Sequence, residues 1–80
     1  MSSTYDRVTS CLTAVFENKS QTPPVLHAGV RLDATLGLDS LDYAEMVVRL
    51  EEEFGFDPFA QGVPAGLETL GDLVRQYDRT

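Results

Sequence analysis

Ser40 has the surroundings in this chain best suited to chemistry: Asp39 precedes it, Leu41 and Asp42 follow it, and a helix is expected to begin there. A serine in the first turn of a helix lies beside unpaired backbone N–H groups and the positive end of the helix dipole, which favours an attached anion such as a phosphodiester. Asp39 and Asp42 partly oppose that attraction. The default role for a serine so placed is a helix cap.

Other reactive side chains are sparse. A Ser-His-Asp triad would have to use His27, the sole histidine, and no Gly-x-Ser-x-Gly elbow surrounds Ser40. One cysteine and one histidine cannot build a zinc site, and neither a phosphate-binding loop nor an Asp-x-Asp-x-Asp-Gly calcium loop occurs, so no metal is expected. Glu51, Glu52 and Glu53 fall on a solvated helix with no evident cleft, a poor setting for general acid-base work. Cys11 has no histidine or basic cluster nearby in sequence and reads as a small buried hydrophobe. His27 reads as a surface or loop-packing residue. No catalytic residue is assigned.

The elements that position Ser40 follow from periodicity. Tyr5, Val8, Leu12, Val15 and Phe16 recur at spacings of three and four, predicting an amphipathic helix over about residues 4 to 17 with Ser2, Ser3 or Thr4 as its cap. Residues 18 to 35 read as a long connection marked by Pro23, Pro24 and Gly29, packed through Val25, Leu26, Val30, Leu32 and Leu36. A second helix is expected from Asp39 or Ser40 to Phe54, stopped by Gly55. Its inward arc is Tyr43, Met46, Val47, Leu50 and Phe54; its outward arc carries Leu41, Asp42, Glu45, Val48, Arg49 and Glu52.

Asp57-Pro58, followed by Gly62, suits one helical turn at most, and Pro64 and Gly66 keep the next stretch irregular. Thr69 and Asp72 offer a cap for a last helix through about residue 78, with Leu70, Leu73, Val74 and Tyr77 on its apolar face. No segment has strand periodicity. The predicted fold class is all-α, a small three- to four-helix bundle whose third helix is short or irregular.

Eighty residues allow one domain, 1–80, with a modest core. Between residues 39 and 57, seven carboxylates face one arginine, which accounts for six of the seven excess negative charges. An acidic patch on a nearly neutral body argues against nucleic-acid binding and for partners with basic surfaces, the plain alternative being a solvated helix face. A single cysteine, no apolar run near the length of a membrane span and no signal-peptide pattern at the start lead to the expectation of a cytoplasmic monomer.

The run Leu36-Gly37-Leu38-Asp39-Ser40-Leu41-Asp42, the acidic helix ending Leu50-Glu51-Glu52-Glu53-Phe54 and the closing Thr69-Leu70-Gly71-Asp72-Leu73-Val74 resemble acyl and peptidyl carrier proteins over nearly the whole chain. Asp-Ser-Leu alone is a weak match; its flanks and the chain length make it specific. The resemblance implies an acyl-carrier-type bundle in which a phosphopantetheinyl transferase attaches 4′-phosphopantetheine from coenzyme A to Ser40. It also implies that Asp39, Leu41, Asp42, Glu45, Val48, Glu51 and Glu52 meet partner enzymes. Those partners would include a loading ligase or acyltransferase and synthases with basic docking surfaces.

The implied protein is a non-catalytic carrier of acyl thioesters in fatty-acid, polyketide or related specialised biosynthesis. An aminoacyl or aryl carrier loaded by an adenylating ligase is the nearest alternative. A helical interaction module with Ser40 as a cap or phosphorylation site is an alternative of another class. Tyr43-Ala44, Arg49 and the segment from Phe56 to Gly62 depart from common fatty-acid carriers and point to a stand-alone carrier in a specialised pathway.

Overall fold

A computed structural model describes residues 3–60, 62 and 65–78. Helix α1 spans Thr4–Asn18, α2 spans Ser40–Phe54 and α3 spans Leu70–Tyr77, with a 3₁₀ turn at Ala34–Leu36 in the long connection. All three helices start the same way. A side-chain oxygen of Ser3, Asp39 or Thr69 accepts from the backbone of the third helical residue, whose own carboxylate, on Asp6, Asp42 or Asp72, accepts from the cap's backbone N–H. Helix α2 stops at Gly55, where φ is +82°. Ser2, one of the three cap candidates for α1, lies outside the described residues, and the cap is Ser3.

Helix α1 closes less economically. Ser20 takes the left-handed conformation (φ +59°), its N–H donating to the Glu17 carbonyl while the Gln21 N–H donates to that of Phe16. This is the pattern usually completed by glycine, here with Lys19 as the C-cap.

The core joins Val8, Leu12, Val15 and Phe16 of α1 to Met46 and Leu50 of α2, Leu70, Leu73 and Tyr77 of α3, and Leu38 of the connection. Each fully buried leucine, Leu12, Leu50, Leu70 and Leu73, contributes roughly 1.5–3 kcal/mol relative to exposure. Tyr5, Tyr43, Val47 and Phe54, expected on the apolar stripes, are half-buried at the margin of this core, as is Cys11. Helices α1 and α2 run antiparallel, since Arg7 pairs with Glu53 at one end and Lys19 with Asp42 at the other.

Helix α3 is tied to the connection by backbone. Leu32 N–H donates to Glu68, Leu70 N–H to Val30 and Gly71 N–H to Ala28, around an isolated antiparallel bridge between Arg31 and Thr69. A Cβ on Gly71 would meet the Ala28 carbonyl oxygen at 3.2 Å, which explains glycine there.

One expectation needs correction. Val25 does not pack the connection but is 87% exposed. The Tyr5 hydroxyl holds the Leu26 carbonyl (3.1 Å) and Leu26 packs on the core, so its neighbour in this extended segment faces outward. In keeping with one helical turn at most, Asp57 caps a turn, accepting from the Phe59 N–H at 2.9 Å, and no longer helix forms among the described residues from 57 to 66. Gln61 and Pro64 lie outside the described residues. Phe54, Phe56 and Phe59 instead gather around Tyr77, with ring centroids 4.9, 5.6 and 6.1 Å from it. Among the described residues no helix is long and apolar enough to cross a membrane.

Candidate functional site

Ser40 is the first helical residue of α2, but it is not the cap. Asp39 holds that role: its Oδ1 accepts from the Asp42 N–H at 2.9 Å, and Asp42 Oδ2 accepts from the Asp39 N–H at 3.0 Å. The default assignment of serine as the cap is thereby corrected. The Ser40 hydroxyl is exposed and has no hydrogen-bond partner among the described residues. The Ser40 and Leu41 N–H groups are likewise unpaired among the described residues, because the capping box serves Asp39 and Asp42 only. A nucleophilic hydroxyl beside two open amides is a chemically sound place for a phosphodiester.

The turn leading into Ser40 is held on several sides. Asp33 caps the 3₁₀ turn through the Thr35 N–H at 2.9 Å and also accepts from the Thr35 hydroxyl. Gly37 follows at φ +99°, a conformation that side chains rarely adopt. Leu38, two residues before Ser40, is buried in the core. Tyr43 Oη donates to the Asp33 carbonyl at 3.1 Å, so the first turn of α2 is tied to the 3₁₀ turn. Burial, followed by the charges of Asp33 and Asp42, pushes the Tyr43 phenol above its ordinary value.

On the other side, Lys19 Nζ reaches Asp42 Oδ2 at 2.5 Å and the Gly37 carbonyl at 3.2 Å. The Lys19 ammonium, the Asp39 N–H and burial acting in the opposite sense set the Asp42 carboxyl below the usual range, the lysine contact being the largest influence.

The seven residues expected to face partners divide into two groups. Asp39, Leu41, Val48, Glu51 and Glu52 are exposed, with Leu41 79% and Val48 54% accessible. Asp42 and Glu45 are half-buried. The Asp42 side chain is only 14% exposed against Lys19, and Glu45 is held between Asn18 (3.2 Å) and Arg49 (3.0 Å). Asp42 turns inward because α1 ends against the start of α2 and supplies Lys19 as donor, whereas Glu45, bonded from Asn18 of α1 and Arg49 of α2, keeps a side chain 35% exposed. Lys19 and Asn18 were invisible as site residues in the sequence. The available signal was that Lys19 is the only lysine of the chain and falls where α1 ends.

Farther along α2, Val48, Arg49 and Glu52 face Ser10, Cys11 and Ala14 of α1 across an open groove of about 630 Å³. Burial, then the Glu53 charge, raises the Cys11 thiol pKa against the opposing charges of Arg49 and Arg7, which disfavours the reactive thiolate. His27 is exposed, its Nδ1 accepting from the Gly29 N–H at 3.2 Å. Among the described residues no group of three or more His, Cys, Asp or Glu is placed to hold a metal ion.

Residues 12–76 match the family described as a phosphopantetheine attachment site. No solved structure matches the chain.

Proposed function

Because the chain belongs to the phosphopantetheine attachment site family, whose members are non-catalytic carriers with covalently attached 4′-phosphopantetheine, we propose that Ser40 is its attachment residue. The observation that carries this reading is the exposed Ser40 hydroxyl, left uncommitted because Asp39 takes the cap. Its Oγ forms a bond to the phosphorus bearing the pantetheine of coenzyme A. The bond from that phosphorus to the nucleotide portion breaks, and the serine proton passes to a base of the transferase. The Ser40 and Leu41 amides receive the phosphate oxygens, which suits the donor chemistry of this helix start. Once attached, the arm supplies a terminal thiol on which cargo is held as a thioester.

The chain, as one carrier domain over residues 1–80, delivers acyl groups to enzymes of fatty-acid, polyketide or related specialised biosynthesis in the cytoplasm, acting as a monomer. Tethering raises the effective concentration of cargo at each partner, and the partners supply catalysis. Leu41 and Val48 give the docking face apolar contact points, while Asp39, Glu51 and Glu52 steer it toward basic surfaces. Asp42 contributes charge from beneath that face and Glu45 from its edge.

Incubation with coenzyme A, magnesium and a broad-specificity phosphopantetheinyl transferase should add one arm by intact mass, and Ser40→Ala should abolish it. No addition, or one that survives the substitution, overturns the assignment. Mass analysis of protein isolated from its host should find an acyl thioester; an aminoacyl or aryl thioester would replace the acyl reading with that of a carrier loaded by an adenylating ligase.

A further inference from the structure

Lys19 touches the polypeptide on both sides of Ser40. Its Nζ donates to the Gly37 carbonyl, three residues before the serine, and to Asp42 Oδ2, two residues after it. That same Oδ2 accepts from the Asp39 N–H. One ammonium group therefore closes a ring of contacts around the Leu38-Asp39-Ser40 turn while leaving the serine hydroxyl outside it. The ion pair is the most sheltered among the described residues, with side-chain exposures of 25% and 14%, whereas Arg7–Glu53 at the opposite end of the same helices has 38% and 42%. Its origin is fixed as well, since Lys19 is the C-cap of α1, where the helix dipole favours a cation and the left-handed Ser20 sets the exit of the chain.

We propose that Lys19 is the positioning residue for arm attachment: by clamping the Gly37 carbonyl and the Asp42 carboxylate it holds the turn in the form that presents Ser40. It also offsets the Asp42 charge next to the place where a phosphate arrives. This rests on Ser40 being the attachment residue. The role differs from general surface electrostatics in the direction of its effects. Removing a cation makes an acidic carrier still more acidic and should tighten its encounter with a basic transferase, lowering KM. Loosening the turn should instead lower kcat, because transfer requires the hydroxyl in line with the phosphorus.

The test compares Lys19→Met, Lys19→Arg and Arg7→Met in two measurements, steady-state arm transfer and backbone amide exchange of the apo protein. Lys19→Met should lower kcat about tenfold, within the range that small misplacements of reacting groups produce, with KM unchanged or reduced. Exchange of the Asp39 and Asp42 amides should accelerate in the same variant. Lys19→Arg should restore both readouts, because a guanidinium can bridge the same carbonyl and carboxylate. Arg7→Met, which removes the other interhelical ion pair, should leave kcat and these amides unaltered.

Unchanged kcat in Lys19→Met, a loss no larger than that of Arg7→Met, or a loss without faster exchange at Asp39 and Asp42 overturns the proposal alone. Absence of an arm on wild-type Ser40 overturns it together with the attachment reading.

Discussion

Helices α2 and α3 begin with the same local device and meet different surroundings. Each has a capping box closed by an aspartate at its third position, Asp42 in α2 and Asp72 in α3. At α3 the next two amides, of Leu70 and Gly71, are taken by the Val30 and Ala28 carbonyls of the long connection. At α2 the equivalent amides, of Ser40 and Leu41, have no partner among the described residues, and the serine is exposed. The capping box sets where a helix starts; what the rest of the chain lays over that start decides whether it can receive a ligand.

The two carboxylates repeat the lesson in their electrostatics. Both titrate below the ordinary range, Asp42 chiefly through Lys19 and Asp72 chiefly through the Glu68 and Thr69 backbone amides. A side chain arriving from another helix supports the open start, and local backbone supports the covered one. Arg75 also pairs with Asp72, but from within α3 itself.

The most disruptive way to probe this contrast is Leu38→Ala, which removes the apolar anchor next to the open start. Large-to-small substitutions at such buried sites cost about 2–4 kcal/mol, so the urea midpoint should fall sharply and arm transfer should slow even at temperatures where the variant is folded. Gly37→Ala acts on the same turn through the backbone. Forcing an alanine to φ +99° should cost roughly 1–2 kcal/mol by denaturant titration, since the added Cβ would gain only an ordinary contact with the Phe16 ring at 3.9 Å.

Cap deletion sharpens the comparison directly. Asp39→Ala and Thr69→Ala should each cost about 1 kcal/mol of stability, yet only Asp39→Ala should alter the rate of arm transfer; equal effects of both on transfer would make the open start no different from the covered one. The smallest effect lies in acid. A carboxylate whose pKa is depressed by folding contributes stability that is present above its unfolded value, about 3.9, and is lost as pH falls through the folded value. Lys19→Met should move the Asp42 titration, followed by side-chain carboxyl shifts in NMR, upward toward that ordinary value and leave Asp72 where it is.

At the aromatic end of the bundle, Tyr77 Oη is buried with no hydrogen-bond partner among the described residues, and burial pushes its pKa up to about 12. Neither feature was foreseeable from the spacing of Leu70, Leu73, Val74 and Tyr77, which specifies only that Tyr77 faces inward. The same distinction runs through the molecule. The limits of α1 and α2, the Gly55 stop and the Thr69 cap were legible because they depend on residues within about four positions of one another. Asp39 as the cap in place of Ser40 was within reach of the same local rules, since aspartate ranks with serine at that position and Asp42 completes the box. Asp42 was placed outward because helical periodicity assigns a direction without knowing what waits there.

The amino-acid sequence by itself determined three amphipathic helices, the concentration of negative charge along the second, a serine in its first turn and membership of the phosphopantetheine attachment site family. These follow from local hydrogen bonding, side-chain periodicity and composition. Only the tertiary structure decided that the start of α2 stays open while that of α3 is covered, and that Lys19 grips both flanks of Ser40. The physical reason is distance along the chain. Lys19 and Asp42 are 23 residues apart, and their meeting depends on the path of the whole connection and on the core that packs α1 against α2.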